Sequence, residues 1–310
     1  MWRKFVSLMV CLALVVTTTG FALAATPETV QDKLALIERD TYGSEQTGAL
    51  LERLNKIEKD YDGKNNTGSL MARIDALYAE MYENTAGPSV LARMNAIEWN
   101  INHEVSQKSV QERLADMEMM MDGKTSDGTY QERIAKLSTS SFGTERLPMD
   151  MVSVPADTLV KIALVDPVNA KNLKVGDTIR YKVSDDVVLD DYLVFAKGEP
   201  GEGTVTKVKQ AQNFGRNAEV EIDFKQTKSI DGTEVDTFIG DKAKEEMKSY
   251  AMAAGASLAG VLLLGPIGII GGAFVKGENV NLPEGTELYI QTLEDESLYG
   301  VATKGAVVAP

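Results

Sequence analysis

The chain has 310 residues, and its 32 Lys and Arg against 46 Asp and Glu give a formal charge of −14. So acidic a surface, with no basic cluster to offset it, repels phosphate backbones and argues against a nucleic-acid partner. With 44% hydrophobic residues the chain can bury real cores at a length suited to two domains, while one His and one Cys leave little for catalysis or metal binding.

The first 25 residues read as a secretory signal. Met1 to Lys4 form a basic head, Phe5 to Val16 are apolar, and Ala22-Leu23-Ala24 offer small residues for cleavage after Ala24 or Ala25. The rival reading is an uncut anchor, because Phe5 to Ala25 could just cross a bilayer of about 30 Å. Cys11 does not fit a lipid attachment site, since Val10 precedes it where a small residue is expected. Cleavage leaves a mature protein without cysteine, so its fold is expected to need no disulfide.

Residues 26–145 hold six segments in register every twenty residues, opened by Val30, Leu50, Leu70, Val90, Val110 and Tyr130. Leu34, Leu54, Ile74, Met94, Leu114 and Ile134 follow four positions on, and Ile37, Ile57, Leu77, Ile97, Met117 and Leu137 three further. Apolar residues at i, i+4 and i+7 share one helix face, so six short helices are predicted. Thr29, Ser69, Ser89, Ser109 and Thr129 are the expected N-caps, and Gly43, Gly63, Gly123 and Gly143 the expected stops. A lone helix of about 13 residues is marginal in water, so the units are expected to bury their stripes on one another or on a partner.

A basic row accompanies the stripe: Lys33, Arg53, Arg73, Arg93, Arg113 and Arg133. Such cations beside a core face are expected to lay their stems over its apolar edge and keep their charge wet; a ligand row is the alternative. Glu38, Glu58, Glu98 and Glu118 stand five positions later, a poor spacing for pairing within one helix, so contact between neighbouring units is expected. The loops at Asp60–Gly68 and Asp122–Gly128 lack the closing Glu of a calcium loop and read as turns. His103 falls at a helix end without a second metal or nucleophile residue nearby, and reads as a polar cap.

Residues 146–310 form the second domain, and from Val154 the period changes to two, in Thr158–Leu164, Thr178–Val183, Gly203–Val208 and Glu219–Phe224, which suggests a small β-barrel or sandwich. The doublets Asp185-Asp186 and Asp190-Asp191 bracket the strand-like Val187–Leu189 and read as solvated turn ends. Ser249 to Val275 carry no charge, and Gly265-Pro266 divides the stretch into arms too short to span a bilayer singly. Ala251, Gly255 and Ala259 lie four apart, as do Gly268 and Gly272, offering small faces for close helix packing. The segment at about 249–275 is therefore predicted to be an apolar helical hairpin, entering a membrane or packed within the protein, its two ends on one side. The fold class expected is multi-domain α+β: an all-α repeat array followed by a small β-barrel or sandwich carrying this hairpin.

The second half resembles the β-barrel domain of TrbI-type channel subunits of type IV secretion. The resemblance rests on Val154-Pro155-Ala156-Asp157-Thr158, the Val175–Thr178 turn, Leu193–Gly198, Gly203-Thr204-Val205, Asp231-Gly232 and Leu282-Pro283-Glu284-Gly285-Thr286. It implies a barrel with an inserted helical segment which, in that family, lines an outer-membrane opening across many subunits. Together these readings lead to the expectation of a non-enzymatic exported protein of a bacterial periplasm or outer membrane. It needs no cofactor or small-molecule substrate, associates with the membrane through the Gly-rich hairpin, and uses its helical array to bind itself or an envelope partner. A ring-forming subunit of an export channel is the alternative.

Overall fold

The computed structural model describes residues 27, 29–211, 218–253, 272–277 and 280–303; the signal reading at 1–25 lies outside them. Six helices of equal length open the fold: α1 (Val30–Tyr42), α2 (Leu50–Asp62), α3 (Leu70–Tyr82), α4 (Val90–Asn102), α5 (Val110–Asp122) and α6 (Tyr130–Phe142). Hydroxyl side chains accept first-turn amides at Thr29, Ser69, Ser89, Ser109 and Thr129, and Asp32, Glu112 and Glu132 complete capping boxes. Gly43, Gly63, Gly123 and Gly143 end their helices at φ between 70° and 82°, left-handed values that a side chain would strain.

The two apolar positions of each repeat form the array's core, every one of the twelve side chains at most 2% exposed. Burial of each contributes roughly 2 kcal/mol, which supplies what a helix of this length lacks alone. Helices α1 and α5 meet, as do α2 and α6, so units four apart stack while α1–α3 and α4–α6 pack across the middle. The six helices thus pack around one apolar core, to which Leu193 and Val301 of the later strands also belong.

The strands follow: β1 (Met149–Val154), β2 (Leu159–Leu164), β3 (Val168–Asn169), β4 (Thr178–Val183), β5 (Val187–Leu189), β6 (Tyr192–Phe195), β7 (Pro200–Lys209), β8 (Ala218–Lys228) and β9 (Glu234–Phe238). Then come α7 (Asp241–Ala253), β10 (Gly272–Gly277), β11 (Asn281–Leu282), β12 (Glu287–Thr292) and β13 (Glu296–Ala302). The order β8-β7-β4-β2-β12-β9 closes through a β8–β9 pairing into a six-stranded antiparallel barrel, with β10 added on β8. Alternation decides what is inside: Val160, Ile162 and Leu164 of β2 and Ile179, Tyr181 and Val183 of β4 point into the barrel. The Tyr181 ring meets Phe224 edge-on at 5.5 Å, and its hydroxyl donates to Gln226 O at 2.6 Å.

A second sheet, β1-β13-β6-β5, lies between array and barrel. Leu193 pairs with Val301 and both belong to the core of the helices, whereas Val194, the next residue, joins the barrel core. The molecule is therefore layered as helices, small sheet and barrel. Helix α7 covers part of the barrel, with Ala243 and Met247 buried in its core and the Ala243 N–H donating to Gln291 Oε1 at 3.0 Å.

One expectation is corrected here. Gly272, expected on a small-residue helix face, opens strand β10 opposite Asp223, so the exit of the apolar segment is strand and not helix. The physical reason is β8, whose N-terminal half leaves an edge that β10 pairs along its whole length. Ala251 is in the last turn of α7; Gly255, Ala259, Gly265, Pro266 and Gly268 lie outside the described residues. Among the described residues no helix is long and apolar enough to cross a membrane.

Candidate functional site

Each repeat ends in a loop that brings the next helix back beside the last turns of the one before. Four arginines of the basic row use this return. Arg53, Arg73, Arg113 and Arg133 donate Nε to Glu38, Glu58, Glu98 and Glu118 of the preceding helix at 2.8, 3.0, 2.8 and 2.8 Å. The same four carboxylates accept loop N–H groups from Gln46, Asn66, Ser106 and Ser126 at 3.0, 3.0, 3.1 and 2.9 Å. The glutamates are buried, and Arg73 and Arg113 are buried with them. The expectation of wet guanidinium heads is therefore corrected for these residues: each is a clamp joining helix, loop and next helix, because the carboxylate left inside by the loop requires a partner. The hydrogen bond to Glu38 holds the Arg53 guanidinium above its ordinary pKa.

The row departs from this pattern at three places. Lys33, in the first of the described helices, pairs with Asp75 of α3 at 2.6 Å. Ser138 stands where the last glutamate would be and donates to the carbonyls of Thr144 and Glu145 at 2.8 and 3.1 Å. Tyr78 replaces the glutamate of α3, so Arg93 turns to Gln131 Oε1 at 3.0 Å and keeps a buried Nε with no partner among the described residues. Burial lowers the Arg93 pKa. Among the described residues the clamps run from Arg53–Glu38 to Arg133–Glu118, with a break at Tyr78.

Around α4 the repeats give way to a junction with the strands. The loop after α3 replaces the glycine stop with Glu83-Asn84, and Asn84 Nδ2 donates to Asp231 O at 3.0 Å. Helix α4 stops at His103 in the left-handed region, φ 53°, its ring edge-on to Trp99 at 5.7 Å. Val105 N–H then donates to Lys197 O at 2.8 Å, and Glu104 takes Lys182 and Lys197 at 3.0 and 3.2 Å. Trp99 Nε1 donates to Asp186 Oδ2 at 2.9 Å, which gives one residue of the acidic doublets a structural partner.

The centre of the junction is polar and closed to water. Asn95 Nδ2 donates to Glu199 Oε1 and to Ile230 O at 3.0 and 3.1 Å, while its Oδ1 accepts from Arg113 Nη2 at 2.7 Å. Glu199 is 2% exposed, and burial pushes its carboxyl up to about 8. Lys228 and Arg113 oppose that rise, and Glu98 and Asp231 add to it. The arrangement places a buried carboxyl as a joint between two parts of the protein. Glu199 sits in a Gly-Glu-Pro-Gly turn, a sequence that signals a solvated loop, so nothing local announces its burial.

The apolar segment lies between two elements held by the barrel, α7 at its start and β10 at its end. Strand β9 runs beside the C-terminal half of β8, with Asp236 opposite Gln226, and β10 runs beside its N-terminal half, with Gly272 opposite Asp223. The chain thus leaves β8 near Phe238 and rejoins the same edge at the next free position. Among the described residues no three His, Cys, Asp or Glu side chains are grouped as a metal site.

No family model matches this chain, and no curated protein matches it. Among solved structures it is similar to ComB10 of the Com type IV secretion system of Helicobacter pylori, with a TM-score of 0.25 and 14% identity over 46% of this chain and 88% of that one. A likeness of that degree carries no argument about role, which rests on the residues above.

Proposed function

We propose that this chain is a non-enzymatic, exported scaffold of a bacterial cell envelope, at the periplasm or outer membrane. It is seated on a membrane by the apolar segment between α7 and β10, and its helical array is turned toward partner proteins. The observation that supports this reading is the charge-free stretch Ser249–Val275, inserted between α7, whose Ala243 and Met247 pack in the barrel core, and β10, which pairs with β8. A closed barrel needs no such stretch for its own core. An apolar insertion between two elements that both pack on one barrel is suited to a hairpin that dips into lipid from one side. The basic head and apolar core of residues 1–25 support export.

The junction gives the scaffold its stiffness, because Asn95, Glu199 and Val105 fix the array to the barrel and so to the membrane seat. Vesicle flotation of the mature protein tests the reading, with a version lacking residues 254–271 as control. The full protein is expected to float with the lipid and the shortened one to stay at the bottom. The second reading, a ring-forming channel subunit, is favoured by the place of the apolar segment between barrel strands. It requires a multimer in detergent that conducts ions across a planar bilayer.

A further inference from the structure

Repeats two and four share a face that the others lack. Asn55 and Asn95 occupy the same repeat position, which is Ala35, Asp75, Ala115 or Ala135 elsewhere, and Leu51 and Leu91 precede them by one turn. In both repeats the asparagine Oδ1 accepts from the next repeat's arginine, Arg73 Nη2 at 2.6 Å and Arg113 Nη2 at 2.7 Å. That bond fixes the side chain with its amide N–H groups aimed outward, a donor ordered before any ligand arrives.

In α4 the donor is used. Asn95 holds Ile230 O and Glu199, Leu91 rests against Gly232, and Trp99 holds Asp186. In α2 the same face is open. Leu51 is 51% exposed, Asn55 Nδ2 has no acceptor among the described residues, and Asn55 borders a surface depression whose other walls are Glu52, Lys56, Lys59 and Asp60. Lys56 is engaged by Asp60 at 2.6 Å, whereas Lys59 makes no ion pair among the described residues and stands where Trp99 stands in α4.

We propose that this face of α2 docks a β-turn of a partner protein, one that offers a backbone carbonyl to Asn55, a small residue to Leu51 and a carboxylate to Lys59. The chain itself supplies the precedent, since the matching face of α4 binds the turn between β8 and β9 through the same Asn and Leu positions. Replacing Trp99 by Lys59 turns a neutral donor toward an acid into a charged one, and such pairs are the stronger. A second copy of this chain is a poor occupant, because its own β8–β9 turn is covered by its own α4. This inference rests on the reading of the array as a partner-binding element and names the face.

The test is an NMR titration of the mature protein, in solution without lipid, with a cyclised peptide of residues 226–235 as probe. Binding is expected, weakened at least tenfold by Asn55→Ala and by Leu51→Ser, and weakened by Lys59→Glu. Leu51 and Lys59 are exposed, so their variants keep the fold and keep the test decisive where Asn55→Ala loosens Arg73. Absence of binding, or binding that none of these variants alters, overturns the proposal. Self-association abolished by Leu51→Ser overturns it too, by making a second copy the occupant. Flotation on vesicles reads the membrane seat separately, so a failed titration with intact flotation removes the docking face alone.

Discussion

Asn95 and Glu199, 104 residues apart in sequence, meet at 3.0 Å inside the protein and join its helical and stranded parts. The carboxyl between them titrates at about 8 in the fold, raised by burial from an ordinary value of 4.5. The folded state therefore binds a proton that the unfolded chain has given up between those two values. This contribution to stability is complete below pH 4.5 and is lost as pH rises through about 8. Urea denaturation is expected to show a decline on the order of 3–5 kcal/mol over that window, and Glu199→Gln, which keeps the acceptor without the charge, to flatten it.

The clamps differ in worth from the surface pairs. Glu98→Ala leaves the Arg113 guanidinium buried without its carboxylate and frees the Ser106 N–H, at a cost of about 3–5 kcal/mol. Lys108 and Asp116 also form a close pair, at 2.6 Å, but both side chains are more than half exposed. Asp116→Ala is expected to leave the denaturation midpoint unchanged.

Gly198 sits at φ 95°, and a Cβ there would fall 2.1 Å from Val105 O. Gly198→Ala therefore forces the α4–α5 loop off the barrel. Its expected signature is faster hydrogen exchange at the Val105 amide together with a loss of about 2 kcal/mol or more. Gly143→Ala, with open space around it, is expected to cost about 1 kcal/mol from backbone strain alone.

The helices were legible because a stripe at i, i+4 and i+7, repeated every twenty residues with hydroxyl caps and glycine stops, admits one local structure. Alternation located β2, β4, β7 and β8 for the same reason. The partners of the basic row were harder, since Arg53 and Glu38 belong together only after the loop has folded back, and spacing within one helix hides that. The junction was invisible for a related reason. Tyr78, Asn84 and His103 break the repeat at the places where tertiary contact overrides local rule, but a broken repeat does not say what it touches. The return of the chain at Gly272 depends on an edge of β8 that exists only once the barrel has closed.

The central claim is that the charge-free stretch between α7 and β10 seats the protein on lipid while the barrel stands without it. Because α7 and β10 are each held on the barrel by contacts outside residues 254–271, replacing those residues by a Gly-Ser linker is expected to leave the barrel intact. The most direct measurement is flotation of the mature protein on vesicles, before and after this replacement, with thermal unfolding followed in parallel. Lipid binding is expected to disappear while the unfolding midpoint stays within a few degrees. A full-length protein that never floats, or a shortened one that floats as well, would contradict it.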